Sequence, residues 1–290
     1  MGKLLAKARL APFFIVLGAL LGACSHVPQN TPPLAQAQVK KIPPRAPRDM
    51  ASLIISRKEW GADESWRAMR PECPLFPETA TQVRFAVVHD TEDTNDYSRE
   101  EAPGLVRGIY HMHTHKRGWC DIGYNFLIDR YGRIYEGRYG GIRQAVVGAH
   151  AQGFNKESVG VAIIGNFHTE APPKPALDAL ARLLAWKFSS NGVNPQKTIL
   201  VQSAGGKRYP KGALVWLSAI SGHLDVGDTD CPGEDLYALL PLLRTRTLAL
   251  MTPPSAPVLR ASLSRPEPLA DAAPPQIAPQ KESPPKRADW

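Results

Sequence analysis

Three residues far apart in the chain have the types that hold a catalytic metal. His89 closes the apolar run Arg84 to Val88. His223 follows Ser221-Gly222 after a second apolar piece, and Cys231 lies eight residues further on. A loop of that length lets His223 and Cys231 return to one point. Two imidazoles and one thiolate suit Zn2+, and three protein ligands leave a fourth position for water, the pattern of a catalytic rather than a structural site. Spacing alone leaves a second reading open. Eight histidines and four cysteines allow many chance triplets, and a histidine at a strand end also fits a plain hydrogen-bonded role. His111, His113 and His115 form another cluster, but an i, i+2 spacing does not share a helix face.

Elements must carry these residues to one place. Arg84 to Val88 reads as a buried strand. Ser98-Arg99-Glu100-Glu101 fits a capping box, and Leu105, Val106, Ile109 and Met112 continue at helical spacing until the pattern fades near His113 to Lys116. Asn125 to Asp129 and Arg133 to Glu136 read as a hairpin around Tyr131-Gly132, and Val159 to Ile164 as another strand. Pro175 opens a helix with the stripe Leu177, Leu180, Leu184 and Phe188, which Asn191-Gly192 stops. Thr198 to Val201 reads as a strand, and Leu217 to Ser221 leads into His223. A last helix follows Cys231-Pro232-Gly233, and Pro241 must break or kink it. This order predicts an α/β fold: one domain with a central mixed β-sheet flanked by helices. No internal repeat is present.

Several stretches together resemble one family. They are Ile55-Ser-Arg-Lys-Glu-Trp-Gly-Ala-Asp-Glu-Ser65, Gly118-Trp-Cys-Asp-Ile-Gly-Tyr-Asn-Phe126, Gly132-Arg-Ile-Tyr-Glu-Gly-Arg138, Val147-Gly-Ala-His150, Gly165-Asn-Phe167, Gly222-His223 and Thr229-Asp-Cys-Pro-Gly233. In this order they are similar to the peptidoglycan recognition proteins and phage-lysozyme-type amidases, over about residues 53 to 245. The resemblance implies a zinc-dependent N-acetylmuramoyl-L-alanine amidase acting on peptidoglycan. It places the zinc ligands at His89, His223 and Cys231, a catalytic tyrosine at Tyr124 and a second catalytic position at Thr229. It also places His113, Trp119, Arg138 and His150 near the substrate groove, where a cationic Arg138 would suit stem-peptide carboxylates. Family members with serine for the metal cysteine bind peptidoglycan without cutting it, and Cys231 here favours cutting. The chemistry implied is polarisation of the amide carbonyl and activation of water by the metal, with Tyr124 as a donor to the developing oxyanion. Thr229 is a poor base and is assigned orientation.

Two other functions stand beside this one. One is a peptidoglycan-binding lipoprotein without activity. The other is a thiol hydrolase with Cys231 as nucleophile and His223 as base, against which the paired histidines and the closing motif argue. Asp121 and Asp225 fit either orienters of the ligand histidines or turn and cap residues. The chain also departs from the family. Asp90 stands where a second histidine is frequent. Tyr139 to Ala145 is longer than in animal members, so their preference between diaminopimelate and lysine stems does not carry over. Gly205-Gly-Lys-Arg-Tyr-Pro-Lys-Gly212 is extra, and its basic character fits a wall-contacting loop or a plain surface insertion.

The chain ends point to export. Lys3, Lys7 and Arg9 precede the uncharged apolar run Ala11 to Ala23, as in a secretory signal peptide. Leu21-Gly22-Ala23-Cys24 resembles a bacterial lipobox, which implies removal of residues 1–23 and lipidation of Cys24, with a membrane as partner through that anchor. If Cys24 carries lipid and Cys231 metal, Cys73 and Cys120 remain as one disulfide pair or as two free thiols. Of the 28 prolines, 16 fall in residues 25–50 or 251–290. These stretches lack an apolar period and read as a tether (24–50) and a disordered tail (251–290), around a zinc amidase domain at 51–250. The formal net charge of +8 suits an anionic wall or membrane surface. No nucleic-acid motif is present, export argues against that partner, and a monomer is expected.

Overall fold

The chain alternates short strands and helices, and from Phe85 onward all but β7 follow the order that the apolar pattern predicts. β1 (Ile54–Ile55) and α1 (Arg57–Trp60) lead to β2 (Phe85–Asp90) and α2 (Ala102–His111). Then come β3 (Phe126–Ile128), β4 (Ile134–Glu136), β5 (Ser158–Ile163) and α3 (Lys174–Asn191). The hairpin β6 (Thr198–Gln202) and β7 (Leu214–Ser218), β8 (Ile220–Gly222), α4 (Glu234–Ala238) and α5 (Leu240–Met251) complete the order. The structure is a computed structural model that describes residues 50–251. The expected signal segment, Cys24, the tether before Met50 and the tail after Met251 lie outside the described residues.

Six strands form one mixed sheet in the order β1-β4-β3-β5-β2-β8, and β6 and β7 form a separate two-stranded ribbon. β2 lies parallel to both β5 and β8; β3 and β4 form the expected antiparallel hairpin. Alternation along β2 divides its side chains between two layers. Ala86 and Val88 join Val161, Ile163, Leu180, Leu184, Phe188 and Leu243 under α3 and α5. Phe85 and Val87 face the other way, towards Phe154, Val201 and Leu217, and His89 shares their side by the same period.

Element ends differ from expectation where proline intervenes. The capping box does form: Ser98 N–H donates to Glu101 Oε2 at 2.7 Å, and Glu101 N–H to Ser98 Oγ at 3.3 Å. The regular helix nevertheless begins only at Ala102, because Pro103 has no N–H to bond back into that first turn. Where the α-helical pattern fades, Met112–Lys116 winds as a π-turn, a feature frequent at functional sites. The break expected at Pro241 falls at Leu239, between α4 and α5, and Pro241 stands in the first turn of α5. The β7 strand was not foreseen as the partner of β6. Its outward residues Leu214 and Trp216 are exposed, so it shows no polar alternation.

Candidate metal centre

The parallel register of β2 and β8 sets Val88 beside Gly222. The next residues, His89 and His223, therefore leave the same sheet edge side by side, with ring centroids 4.5 Å apart. This is the carboxyl edge of the strands, where open α/β sheets place their sites. Asp225 fixes the turn that presents His223: its carboxylate accepts from Gly222 N–H at 2.9 Å and from the Tyr237 hydroxyl at 2.7 Å. The loop then folds back, with Leu224 N–H donating to Cys231 O at 2.8 Å. Thr229 Oγ1 accepts from Cys231 N–H at 3.2 Å. One ligand atom each from His89, His223 and Cys231 lies within 4.8 Å of the others.

A hydrogen-bond chain runs from His89 through His150 to Ser158. The Nδ1 of His89 faces Cys231 Sγ at 3.7 Å, and its Nε2 lies 3.1 Å from His150 Nδ1. His150 Nε2 lies 3.4 Å from Ser158 Oγ, which donates to Asn155 O at 3.0 Å. Nδ1 of His89 can ligate only with its lone pair free. Its proton then sits on Nε2 and donates to His150, and the His150 proton faces Ser158. The His150 ring reaches this position only because the strand beneath it lacks a side chain. A Cβ on Gly160 would lie 2.2 Å from the imidazole.

Burial keeps the imidazoles neutral. It lowers His89 well below the usual histidine range, with His223 and His150 adding to the shift. It lowers His223 to about 4 and His150 to about 3. Neutral imidazoles offer the lone pairs a metal needs. Burial first, and then the Asp90 carboxylate, push the Cys231 thiol up. Asp90 is buried, and its Oδ1 has no hydrogen-bond partner among the described residues. Asp90 Oδ2 accepts from Phe167 N–H, at 3.4 Å, so a buried thiol stands beside a half-satisfied carboxylate, an unbalanced pair of acids. A divalent cation on two imidazoles and one thiolate would convert it into a balanced one, so the donor set fits Zn2+.

The remaining expected residues divide into two groups. The Tyr124 ring lies 5.1 Å from His89 and 5.4 Å from His113, and burial holds its phenol protonated far above the usual value. Thr229, Trp119 and His150 line one cavity of about 580 Å3 that also reaches His223. His113 lies behind them: its Nδ1 accepts from Gly123 N–H at 3.1 Å, and its ring packs on Trp119 at 4.6 Å. Arg138 is not among the residues lining that cavity. It donates to Ile122 O at 3.2 Å and borders a smaller cavity beside Asp121. Asp121 touches no ligand histidine. It accepts from Tyr139 N–H at 2.8 Å and from Arg57 Nη1 at 3.2 Å. Asp121 and Asp225 thus do structural work, the turn-and-cap alternative of the sequence reading. Cys73 and Cys120 form a disulfide with a Cα–Cα distance of 5.3 Å, and Cys231 is free.

Residues 79–234 match the family model described as N-acetylmuramoyl-L-alanine amidase. The chain belongs to this amidase family. Peptidoglycan-recognition protein LB of Drosophila melanogaster is 33% identical over 185 residues, which cover 64% of this chain and 66% of that protein. Peptidoglycan recognition protein 1 of Bos indicus is 32% identical over 209 residues, covering 72% of this chain and 92% of that protein. Among solved structures, peptidoglycan recognition protein LE in complex with tracheal cytotoxin, a monomeric diaminopimelic acid-type peptidoglycan, is similar at a TM-score of 0.50 and 29% identity. That match covers 66% of this chain and 94% of the other. The LCa–LCx ectodomain complex bound to the same ligand is similar at 0.50 and 28% identity, covering 65% and 94%.

Within this amidase-family domain, sequence reasoning missed the support beneath the site. Ser158, Gly160 and the carboxylate of Asp90 were not foreseen in it. A signal for the first two was present: Ser158, Gly160 and Ala162 put only small residues on one face of β5, which marks a close approach from above.

Proposed function

We propose that this chain is a zinc-dependent amidase that hydrolyses the bond between the lactyl group of N-acetylmuramic acid and L-alanine in peptidoglycan. The convergence of His89, His223 and Cys231, with His223 on the lining of the large cavity, carries the reading. Family membership supports peptidoglycan as the ligand class, and Cys231 supports cleavage over binding alone. Zn2+ held by the three residues would supply Lewis acidity towards the amide carbonyl and acidify water. The chain's own groups do the rest. His150 holds His89 in the ligating tautomer. The Tyr124 phenol stays protonated and is a donor for the carbonyl oxygen as negative charge grows there. Thr229 Oγ1 takes the Cys231 N–H, which leaves its proton free for the substrate. Trp119, braced by His113, offers a flat apolar wall for a sugar ring.

We place this activity outside the cell. Residues 1–23 would be removed, Cys24 would anchor the chain to the envelope, and residues 24–50 would tether the domain at 51–250 ahead of the tail. The protein would work as a monomer. The test is digestion of purified sacculi. The expected result is release of stem peptides with free L-alanine amino groups, lost with a chelator and restored by Zn2+. Tight sacculus binding with no such release, at any metal content, would make the chain a binding protein instead.

A further inference from the structure

The extra segment within residues 203–213 is docked, not loose. It caps the β6–β7 ribbon through Ser203 N–H to Ala213 O and Gly212 N–H to Ser203 O, both 2.8 Å. One flank is tied to the cavity wall by Ala204 N–H donating to Gly153 O at 2.8 Å, and the Tyr209 ring stands edge-on to Phe154 at 5.7 Å. The other flank meets the metal loop, where Arg208 Nη1 donates to Gly227 O at 3.4 Å. The segment thus bridges two of the backbone stretches that line the large cavity, and it brings Lys207 and Arg208 onto the lining.

Arg117 stands on the same lining, its guanidinium 5.2 Å from the Trp119 ring centroid. These three cations face one lining carboxylate, Asp228. None of the three is in an ion pair among the described residues, and Lys207 has no hydrogen-bond partner there. Three cations against one carboxylate leave the concave wall net positive, which raises the local concentration of anions, and a guanidinium fork fits a carboxylate through two parallel hydrogen bonds.

We infer that Arg117, Lys207 and Arg208 form a carboxylate subsite that selects stem peptides with free, unamidated carboxyl groups. The inference rests on the proposed function and adds a substrate class to it. The subsite is supplied largely by a segment the chain has beyond its family pattern. Arg138, the cation expected to do this, lies outside the large cavity.

The test uses the Cys231→Ser protein, which keeps the cavity while disabling cleavage. Calorimetry measures its affinity for a muramyl tripeptide with free carboxylates and for the same peptide fully amidated. The expected preference for the free acid is about tenfold at physiological salt, since exposed charges are partly screened. Adding K207Q and R208Q should remove most of that preference and leave the amide's affinity within about twofold. Arg117→Gln should remove part of it. Lys211→Gln, on the same segment but off the cavity lining, should change neither affinity. No preference in the Cys231→Ser protein, or a preference that survives K207Q/R208Q, overturns the subsite alone. If the protein binds neither peptide, the proposed function falls and takes the subsite with it.

Discussion

The two faces of one sheet are built on different physics. Towards α3 and α5, Val88, Val161 and Ile163 meet Leu180, Leu184 and Phe188, all buried and all hydrocarbon. Such burial is non-directional and scales with area. On the other side of β2, at its end, His89, His150 and Ser158 are equally buried, yet every polar atom there is placed by a named partner or by a missing side chain. Adjacent residues of one strand, Val88 and His89, serve the two faces. One face can change in detail and still hold the fold. The other is apolar along Phe85 and Val87, but its polar end at His89 tolerates little change and contributes less to stability than to the site.

The sharpest way to break this contrast is a pair of substitutions. Cys231→Ser should lower amidase activity at least about 10³-fold, the scale of losing metal-based charge stabilisation. Its metal-free melting temperature should stay within about 5 °C of the parent. Leu180→Ala, on the apolar face, should cost about 2–5 kcal/mol of stability and leave kcat of the folded enzyme within about twofold. Denaturation curves and sacculus digestion on both proteins decide it. If Cys231→Ser unfolds the metal-free chain, or Leu180→Ala abolishes turnover while folded, the division between the faces is wrong.

The same division explains what was legible in the sequence. The apolar face could be read because α3 carries a stripe at 3.6 residues per turn, and because β2 and β5, buried along their whole length, stand out as short continuous apolar runs. The candidate metal ligands were suggested by residue type and assigned by motif resemblance; β2 and β8 lie more than a hundred residues apart, and no local pattern encodes their register. The roles of His150 and Arg138 were less legible. Both sit in family motifs, but whether a polar side chain faces the cavity or braces a neighbour depends on contacts such as the bare surface of Gly160. The π-turn at Met112–Lys116 appeared only as a fading helix, since the same composition suits either winding.

A smaller effect sharpens the account of the polar face. If His150 sets the tautomer of His89, His150→Ala should weaken Zn2+ binding by about 10–100-fold, measured by competition with a chelator. His150→Asn, whose side-chain oxygen can accept the same hydrogen bond, should recover part of the loss. A simple packing role would make both variants alike. Unchanged zinc affinity in His150→Ala would remove His150 from the site's support and return it to the cavity wall.

The smallest effect tests the apolar face at its buried lysine. Lys187, on α3, is buried beside Phe126, with its ammonium 3.1 Å from Ile142 O and 3.0 Å from Gln144 O. Burial lowers its pKa to about 8. The folded chain therefore sheds this proton near pH 8, while the unfolded chain keeps it to the ordinary lysine value of 10.5. Between those limits unfolding takes up a proton, so stability rises with pH. The carbonyls facing the ammonium return part of the desolvation cost, which brings the expected gain down to the order of 1 kcal/mol. The stability of the parent minus that of Lys187→Met, followed from neutral pH upward, isolates this group from other titrations. A flat difference would mean that the carbonyls solvate the ammonium as well as water does. The apolar face would then hold a charge without penalty, and the contrast between the two faces would be weaker than drawn.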